Sequence, residues 1–192
     1  MKMLSLSTLA LMSAGVLLVL FLWAIAIYNK LVRYRQQAAE GWSGIDVQLK
    51  RRANLIPNLV ETVKGYASHE KSTLEAVTES RARCADAVRG PVPERGAAEG
   101  LLSQALVGLF AVVEGYPDLK ADESFLGLQK SLSEIEDNIQ MARRYYNGTV
   151  RILNIAVESF PDVLVARQFH FERADYFQIE DSQDRLVPGV SL

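Results

Sequence analysis

Two histidines and one cysteine are the residues of this sequence best suited to hold a metal ion or to act as a nucleophile. A di-iron centre in a helical bundle takes a glutamate three residues before each of two histidines, and neither His69 nor His170 has one. His69 and Glu70 begin a zinc-protease motif, but no second histidine follows at the required helical spacing. Catalysis by Cys84 would need a histidine brought to it from elsewhere in the chain. We therefore predict no enzyme activity, no metal site and no cofactor.

Polar side chains at or beside apolar helical repeats are the better candidates for a structural or interaction role. Arg52 occupies a repeat position, where it is either buried with a partner or extends outward to solvent. Amides beside such repeats can fix the register of packed helices, although caps and ordinary surface amides fit the pattern equally well. The candidates are Arg52, Asn54, Pro57, Asn58, Tyr145, Tyr146, Asn147 and Asn154.

The element that must position half of these candidates is a predicted long helix at residues 125–160. Its apolar positions alternate steps of three and four residues over five heptads, which is typical of coiled coils and long bundles. At 1.5 Å per residue it would be roughly 50 Å long. Asp122 or Ser124 is expected to cap its start, and Pro161 to end it.

Three further apolar repeats, at residues 31–66, 74–88 and 102–116, predict helices that pack against the long one. Pro57 predicts a kink or break near Asn54, which would cap the helix that restarts there. Gly65 predicts a turn, with Ser68 as the next cap, and residues 90–93 predict a loop. The predicted fold is all-α, an N-terminal transmembrane helix followed by an antiparallel four-helix bundle with long helices.

Residues 4–27 carry no charge and predict a membrane anchor, because about 20 apolar residues cross a bilayer. A cleaved signal is the alternative, but its apolar region is shorter, about 7–15 residues. Aromatic and basic residues follow at the expected membrane interface: Trp23, Tyr28, Lys30, Arg33 and Arg35. The basic residues after the anchor favour a cytoplasmic body.

Length and charge limit the remaining possibilities. Of 192 residues, 1–29 are expected to form the anchor, 30–161 the bundle, and 162–192 a tail that packs on the bundle and frays at its end. A net charge of −2 argues against nucleic-acid binding. A single cysteine excludes an internal disulfide, and Cys84 is read as a small buried hydrophobe.

Several blocks of this sequence resemble the bacterial LemA family. After the N-terminal apolar helix they are the stretch 28–32, Arg-Ala-Asn-Leu-Ile-Pro-Asn-Leu-Val at 52–60, Arg-Arg-Tyr-Tyr-Asn at 143–147 and the stretch 154–161. The resemblance covers residues 4–180. It implies a membrane-anchored antiparallel helical bundle in bacteria, and it carries over structural positions but no catalytic residue.

These features predict a single-pass protein of the bacterial inner membrane whose bundle is a scaffold or interaction module. Its expected partners are the lipid bilayer, other membrane or envelope proteins and further copies of itself. One alternative is a ligand-binding or enzymatic bundle with a site near Arg52, Tyr145 and Tyr146. Another is an anionic-lipid-binding module that uses the basic residues of the membrane interface together with Lys50.

Overall fold

The computed structural model describes residues 6–179, and every regular element in that range is helical. The α-helices are α1 (Leu6–Tyr66), α2 (Lys71–Asp86), α3 (Val92–Val113), α4 (Pro117–Lys120), α5 (Glu123–Glu158) and α6 (Asp162–Gln168), with a 3₁₀ turn at Ala87–Arg89. The prediction of an all-α protein is confirmed over this range. The predicted tail contains α6, and its fraying end falls outside the described residues.

The chain divides into two compact units. Within residues 6–179, the first unit combines residues 6–40 with Gly148–Ala174, and the second combines Gly41–Asn147 with residues 175–179. The long helices α1 and α5 each contribute residues to both units. The domain boundaries expected from the sequence remain a prediction.

In the first unit, the exposure of the apolar side chains of α1 changes along the helix. Its apolar side chains are exposed from Leu11 to Ile25, whereas Ile27, Leu31 and Ala38 are buried. The buried side chains that α5 and α6 contribute to this unit are Val150, Leu153, Val157, Val165 and Ala166. The most apolar 18-residue window of α1, near its N-terminus, has a mean hydropathy of 2.6 and is only 6% buried, and by length and composition it can cross a membrane. The N-terminal apolar helix predicted from the sequence is therefore present.

In the second unit, one hydrophobic core takes residues from every long helical segment. Members that are almost completely buried include Leu59 and Val63 of α1, Val77 of α2, Leu102 and Leu109 of α3, Leu119 of α4 and Phe125 of α5. The helix α3 is also apolar enough to cross a membrane, but 44% of its most apolar window is buried and it supplies this core. The antiparallel four-helix arrangement remains a prediction.

The helix boundaries follow local capping rules in some places. The turn predicted at Gly65 is confirmed, since α1 ends at Tyr66 and α2 starts at Lys71. Asp122 caps α5 as predicted, because its Oδ1 accepts the Phe125 N–H at 2.9 Å. This bond, together with one from the Tyr66 hydroxyl, lowers the pKa of Asp122. Ser68 was expected to cap α2, but the residue at the cap position is Glu70.

The loop predicted at residues 90–93 is shorter than expected. The helix α3 already begins at Val92, so Pro93 lies in its first turn. The missing N–H of a proline has no cost there, because the first N–H groups of a helix have no partner within it. Residues 92–101 are therefore helical, although the predicted repeat began only at Leu102.

The break predicted near Asn54 is wrong, because α1 continues through Pro57. Pro57 has no N–H to donate to the carbonyl of Ala53, four residues earlier. The Nε of Arg81, on α2, donates to that carbonyl oxygen at 2.8 Å instead. A side chain from a neighbouring helix thus replaces the missing backbone hydrogen bond, and Asn54 is not needed as a cap.

The Arg81 contact makes a testable prediction. We expect Arg81→Met to lower the free energy of unfolding by about 1 kcal/mol, because the Ala53 carbonyl loses its donor. In a Pro57→Ala background the loss of unfolding free energy is smaller, because the N–H restored at position 57 donates to the Ala53 carbonyl. Denaturant unfolding of the detergent-solubilised chain, followed by circular dichroism, measures both.

The matched control is Arg83→Met on the same helix. Arg83 pairs with Glu79 at the surface, so its loss costs less than about 0.5 kcal/mol in either background. An equal cost of Arg81→Met with and without Pro57 contradicts the interpretation.

Candidate functional site

A fully buried arginine lies at the centre of the second unit. Arg52 of α1 has no exposed surface, and its Nη2 contacts a carboxylate oxygen of Glu99 on α3. Its Nη1 donates to Glu136 of α5 at 2.7 Å and to the Ser103 hydroxyl at 3.1 Å. Of the two alternatives left open by the sequence, the structure thus shows a buried, paired charge that joins three helices.

The electrostatics of this cluster keep the guanidinium charged. Burial alone would lower the pKa of Arg52, but the carboxylates of Glu136 and Glu99 outweigh it and raise the pKa above its usual value. Glu99 is buried, whereas the Glu136 side chain is 35% exposed. The second carboxylate therefore keeps contact with water, which limits the cost of placing two acids around one cation.

A second buried arginine, Arg95 of α3, lies in the same unit. Its Nη2 pairs with Asp46 of α1 at 2.6 Å, and its guanidinium lies 5.4 Å from the ring centroid of Trp42. Sequence reasoning missed both Arg95 and Glu99, because they lie between the loop predicted at residues 90–93 and the apolar repeat that begins at Leu102. A proline in the first turn with Glu94 beside it is the signal of a helix start that could have placed them.

Cys84 is buried beside this cluster, and its Sγ donates to the carbonyl oxygen of Ala98 at 3.3 Å. Burial, assisted by the Glu99 carboxylate, raises the pKa of the thiol to about 12. The side chain is thus protonated at neutral pH. The interpretation of Cys84 as a small buried hydrophobe is confirmed.

Side chains of α5 bond to residues 175–179, which we call the C-terminal segment of the second unit. The Asn147 amide accepts the Phe177 N–H at 2.9 Å and donates to the Phe177 carbonyl at 3.0 Å. The Tyr146 hydroxyl donates to the Asp175 carbonyl at 2.8 Å. Phe177 is fully buried, and its ring contacts Trp42.

The backbone of this segment also passes directly over α3. A Cβ added at Gly96 would overlap the carbonyl oxygen of Gln178. Glycine is therefore required at position 96 by close approach of another chain segment, although its place in the middle of a helix is otherwise unfavourable.

In the first unit, Asn154 binds backbone in the same way. Its side chain accepts the Ala174 N–H at 2.9 Å and donates to the Ala174 carbonyl at 3.0 Å. The sequence suggested that such amides fix one helix against another. The structure shows instead that Asn147 and Asn154 each bond the backbone of a non-helical piece of chain.

The other predicted candidates lie outside these contacts. Asn54, Pro57, Asn58 and Tyr145 are exposed on the second unit. Whether any of them contacts a partner stays a prediction.

The predicted membrane-interface residues all lie in the first unit, and several contact its C-terminal part. The Tyr28 ring lies 4.9 Å from that of Phe169, and Lys30 pairs with Asp162 at 2.5 Å. The guanidinium of Arg35 lies 5.1 Å from the Phe171 ring centroid. Trp23 and Arg33 are exposed. Their proposed location at the membrane surface stays a prediction.

Two adjoining grooves lie between α1 and α2 in the second unit. One has a volume of about 650 Å³ and the other about 410 Å³, and both are lined by Val60, Lys64 and Thr78. Arg52, Tyr145 and Tyr146 line neither groove. Within residues 6–179, no three His, Cys, Asp or Glu side chains come close enough to hold a metal ion.

Comparison with known proteins assigns the chain to a family. A model described as the LemA family matches residues 41–192. The chain belongs to the LemA family. The match to the LemA model starts after the apolar N-terminal stretch and includes the C-terminal residues.

Curated relatives are similar over most of their lengths. Magnetosome protein MamQ 2 and magnetosome protein MamQ 1 of Paramagnetospirillum magneticum are each 29% identical over an alignment of 185 residues, and each alignment covers 83% of this chain and 68% of the relative. Protein LemA of Metamycoplasma hominis is 25% identical over 156 residues, 80% of this chain and 69% of the relative.

The arginine cluster predicts a large stability loss on removal of the cation. We expect Arg52→Met to reduce the free energy of unfolding by about 3–5 kcal/mol, because Glu99 is left buried without its partner. Adding Glu99→Leu removes that charge as well, so the double variant is expected to be more stable than Arg52→Met alone. Denaturant unfolding in detergent measures both.

The control is Glu136→Gln, which removes the more exposed carboxylate and is expected to cost about 1 kcal/mol. A single variant Arg52→Met that unfolds at the same denaturant concentration as the parent chain contradicts the assigned role of Arg52.

Gly96 allows a matched comparison on α3. Gly96→Ala is expected to destabilise the chain by roughly 1–3 kcal/mol, because the added Cβ pushes against the Gln178 backbone. Gly108→Ala on the same helix meets nothing within 4 Å and is expected to stabilise it by up to about 1 kcal/mol.

Limited proteolysis with chymotrypsin provides the second measurement. We expect faster cleavage at Tyr176 and Phe177 in Gly96→Ala, because the segment is displaced from α3. Equal cleavage rates in the two glycine variants would show that the segment does not depend on Gly96.

Proposed function

We propose that this chain is a single-pass protein of the bacterial inner membrane whose helical body, on the cytoplasmic side, is an interaction module. Its partners are other membrane or envelope proteins and further copies of the chain. The observation that carries the proposal is the nature of α1. The same 61-residue helix holds an exposed apolar stretch long enough to cross a bilayer and, further along, core residues of the second unit.

The polar groups of the second unit support a binding role over a catalytic one. Both terminal nitrogens of Arg52 are already bonded to Glu99, Glu136 and Ser103. Arg95 is paired with Asp46, and the Cys84 thiol is protonated. These groups hold helices together, which leaves less support for a ligand or reaction site at Arg52, Tyr145 and Tyr146.

The names of the relatives do not specify an enzymatic role. The MamQ proteins are named for the magnetosome, and neither their names nor that of protein LemA specifies a reaction. Exposed apolar side chains on the second unit are candidates for the contacts. Val107 is 70% exposed and Met141 53% exposed.

Photo-crosslinking in intact bacterial membranes tests the proposal. A benzophenone amino acid replaces Val107 or Met141 in the full chain, and the exposed polar residue Gln129 serves as the matched control position. We expect discrete crosslinked species from at least one apolar position and none from Gln129. Species at multiples of the chain mass indicate self-association. A chain that remains uncrosslinked at both apolar positions contradicts the proposal.

The orientation is tested separately with Val107→Cys in intact spheroplasts. A membrane-impermeant thiol reagent is expected to react only after the cells are lysed, because the body faces the cytoplasm. The buried, protonated Cys84 does not compete for the reagent. Reaction before lysis would place the body on the opposite side.

A further inference from the structure

The first unit exposes an unusual amount of apolar surface in one short segment. We call residues 159–170 the elbow segment; it contains the end of the turn after α5, the helix α6 and the two residues that follow. Phe160 is 79% exposed, Leu164 56% and Phe169 55%. Large apolar side chains are exposed singly on most soluble proteins, and a cluster of them marks a contact surface.

The opposite side of the elbow segment is anchored within the first unit. Val165 and Ala166 are buried, and so is Asp162. Asp162 pairs with Lys30 of α1 at 2.5 Å, and Phe169 contacts the Tyr28 ring. The segment is thus attached to α1 at residues 28–30.

This attachment fixes the level of the elbow segment along α1. Tyr28 and Lys30 come directly after the exposed apolar stretch, at the place where aromatic and basic residues of a membrane helix meet the lipid headgroups. A segment bound to these two residues lies at the same level. Its exposed phenylalanines and leucine are therefore next to the bilayer that α1 enters.

We propose that the elbow segment is a second membrane-binding element, which inserts Phe160, Leu164 and Phe169 into the boundary between lipid headgroups and acyl chains. The proposal rests on the membrane anchoring proposed above. Amphipathic segments bind at this depth by burying apolar side chains while their polar groups stay among the headgroups. The exposed Arg167 is suited to contact lipid phosphate, and the pairing of Asp162 with Lys30 offsets the one acidic group of the segment.

We favour lipid over a protein as the partner of these exposed side chains, because the elbow segment is continuous with the apolar stretch of α1. The elbow segment belongs to the same unit as the exposed apolar stretch and is bonded to its end. Once α1 is in the bilayer, lipid is present beside these side chains at a very high effective concentration. A protein partner would have to compete with it at the same level.

Spin-label accessibility in proteoliposomes of phosphatidylethanolamine and phosphatidylglycerol tests the proposal. The full chain carries one introduced cysteine at a time: Phe160→Cys, Leu164→Cys, Leu17→Cys as the reference within the apolar stretch, and Gln129→Cys as the exposed control in the second unit. The buried Cys84 stays unlabelled. Collision with oxygen, which is enriched in lipid, is compared with collision with a water-soluble nickel complex.

We expect the labels at 160 and 164 to favour oxygen over the nickel complex at least several-fold more than the label at 129. Labels at 160 and 164 that are as accessible to nickel as that at 129, while the label at 17 is in lipid, overturn the inference. A label at 17 that is itself water-accessible overturns the membrane anchoring, and the inference with it. The two failures are therefore distinguishable.

Discussion

The pairing of one buried guanidinium is the constraint on which the second unit depends. Arg52 cannot be left without its carboxylates at that depth, so α1, α3 and α5 must present it, Glu99 and Glu136 at the same point. Apolar contacts alone tolerate a helix that shifts by one turn, about 5.4 Å, because one leucine replaces another. A charge network does not tolerate this shift, since a buried ion would lose its partner. The hydrophobic core therefore supplies most of the burial, and the cluster specifies one register.

The helix α3 has the largest share in this arrangement. Within two turns it supplies Arg95 to Asp46 and Trp42, Glu99 to Arg52, and the close approach at Gly96 that admits the C-terminal segment. Trp42 connects these contacts, because it also touches the Phe177 ring. These residues lie near the start of α3, and the apolar repeat predicted only the part of this helix from Leu102 onward. A single surface of α3 thus combines charge pairing, aromatic packing and backbone contact.

Local rules predicted the elements from periodicity but not the interactions between distant residues. The apolar repeats correctly placed Phe125, Leu102 and Leu59 in a core, since helical periodicity is a property of adjacent turns. The break predicted at Pro57 does not occur, because the compensating donor, Arg81, lies on another helix. Arg52 was identified by its position in a repeat, yet Glu99 was not, because it precedes the apolar repeat that begins at Leu102. The partners of Asn147 and Asn154 lie in non-helical chain without any periodicity.

The bonds made by Asn147 and Asn154 determine which of the residues they contact can be substituted. In each unit, one side-chain amide bonds both the N–H and the carbonyl of a single non-helical residue, as the neighbouring strand of a β-sheet would. Such recognition depends on the main chain and not on the side chain. At Ala174 any residue that keeps the same backbone conformation preserves both bonds, whereas at Phe177 the buried ring adds a side-chain requirement. The described helices thereby gain strand-like binding that is independent of the side chain at one position and selective at the other.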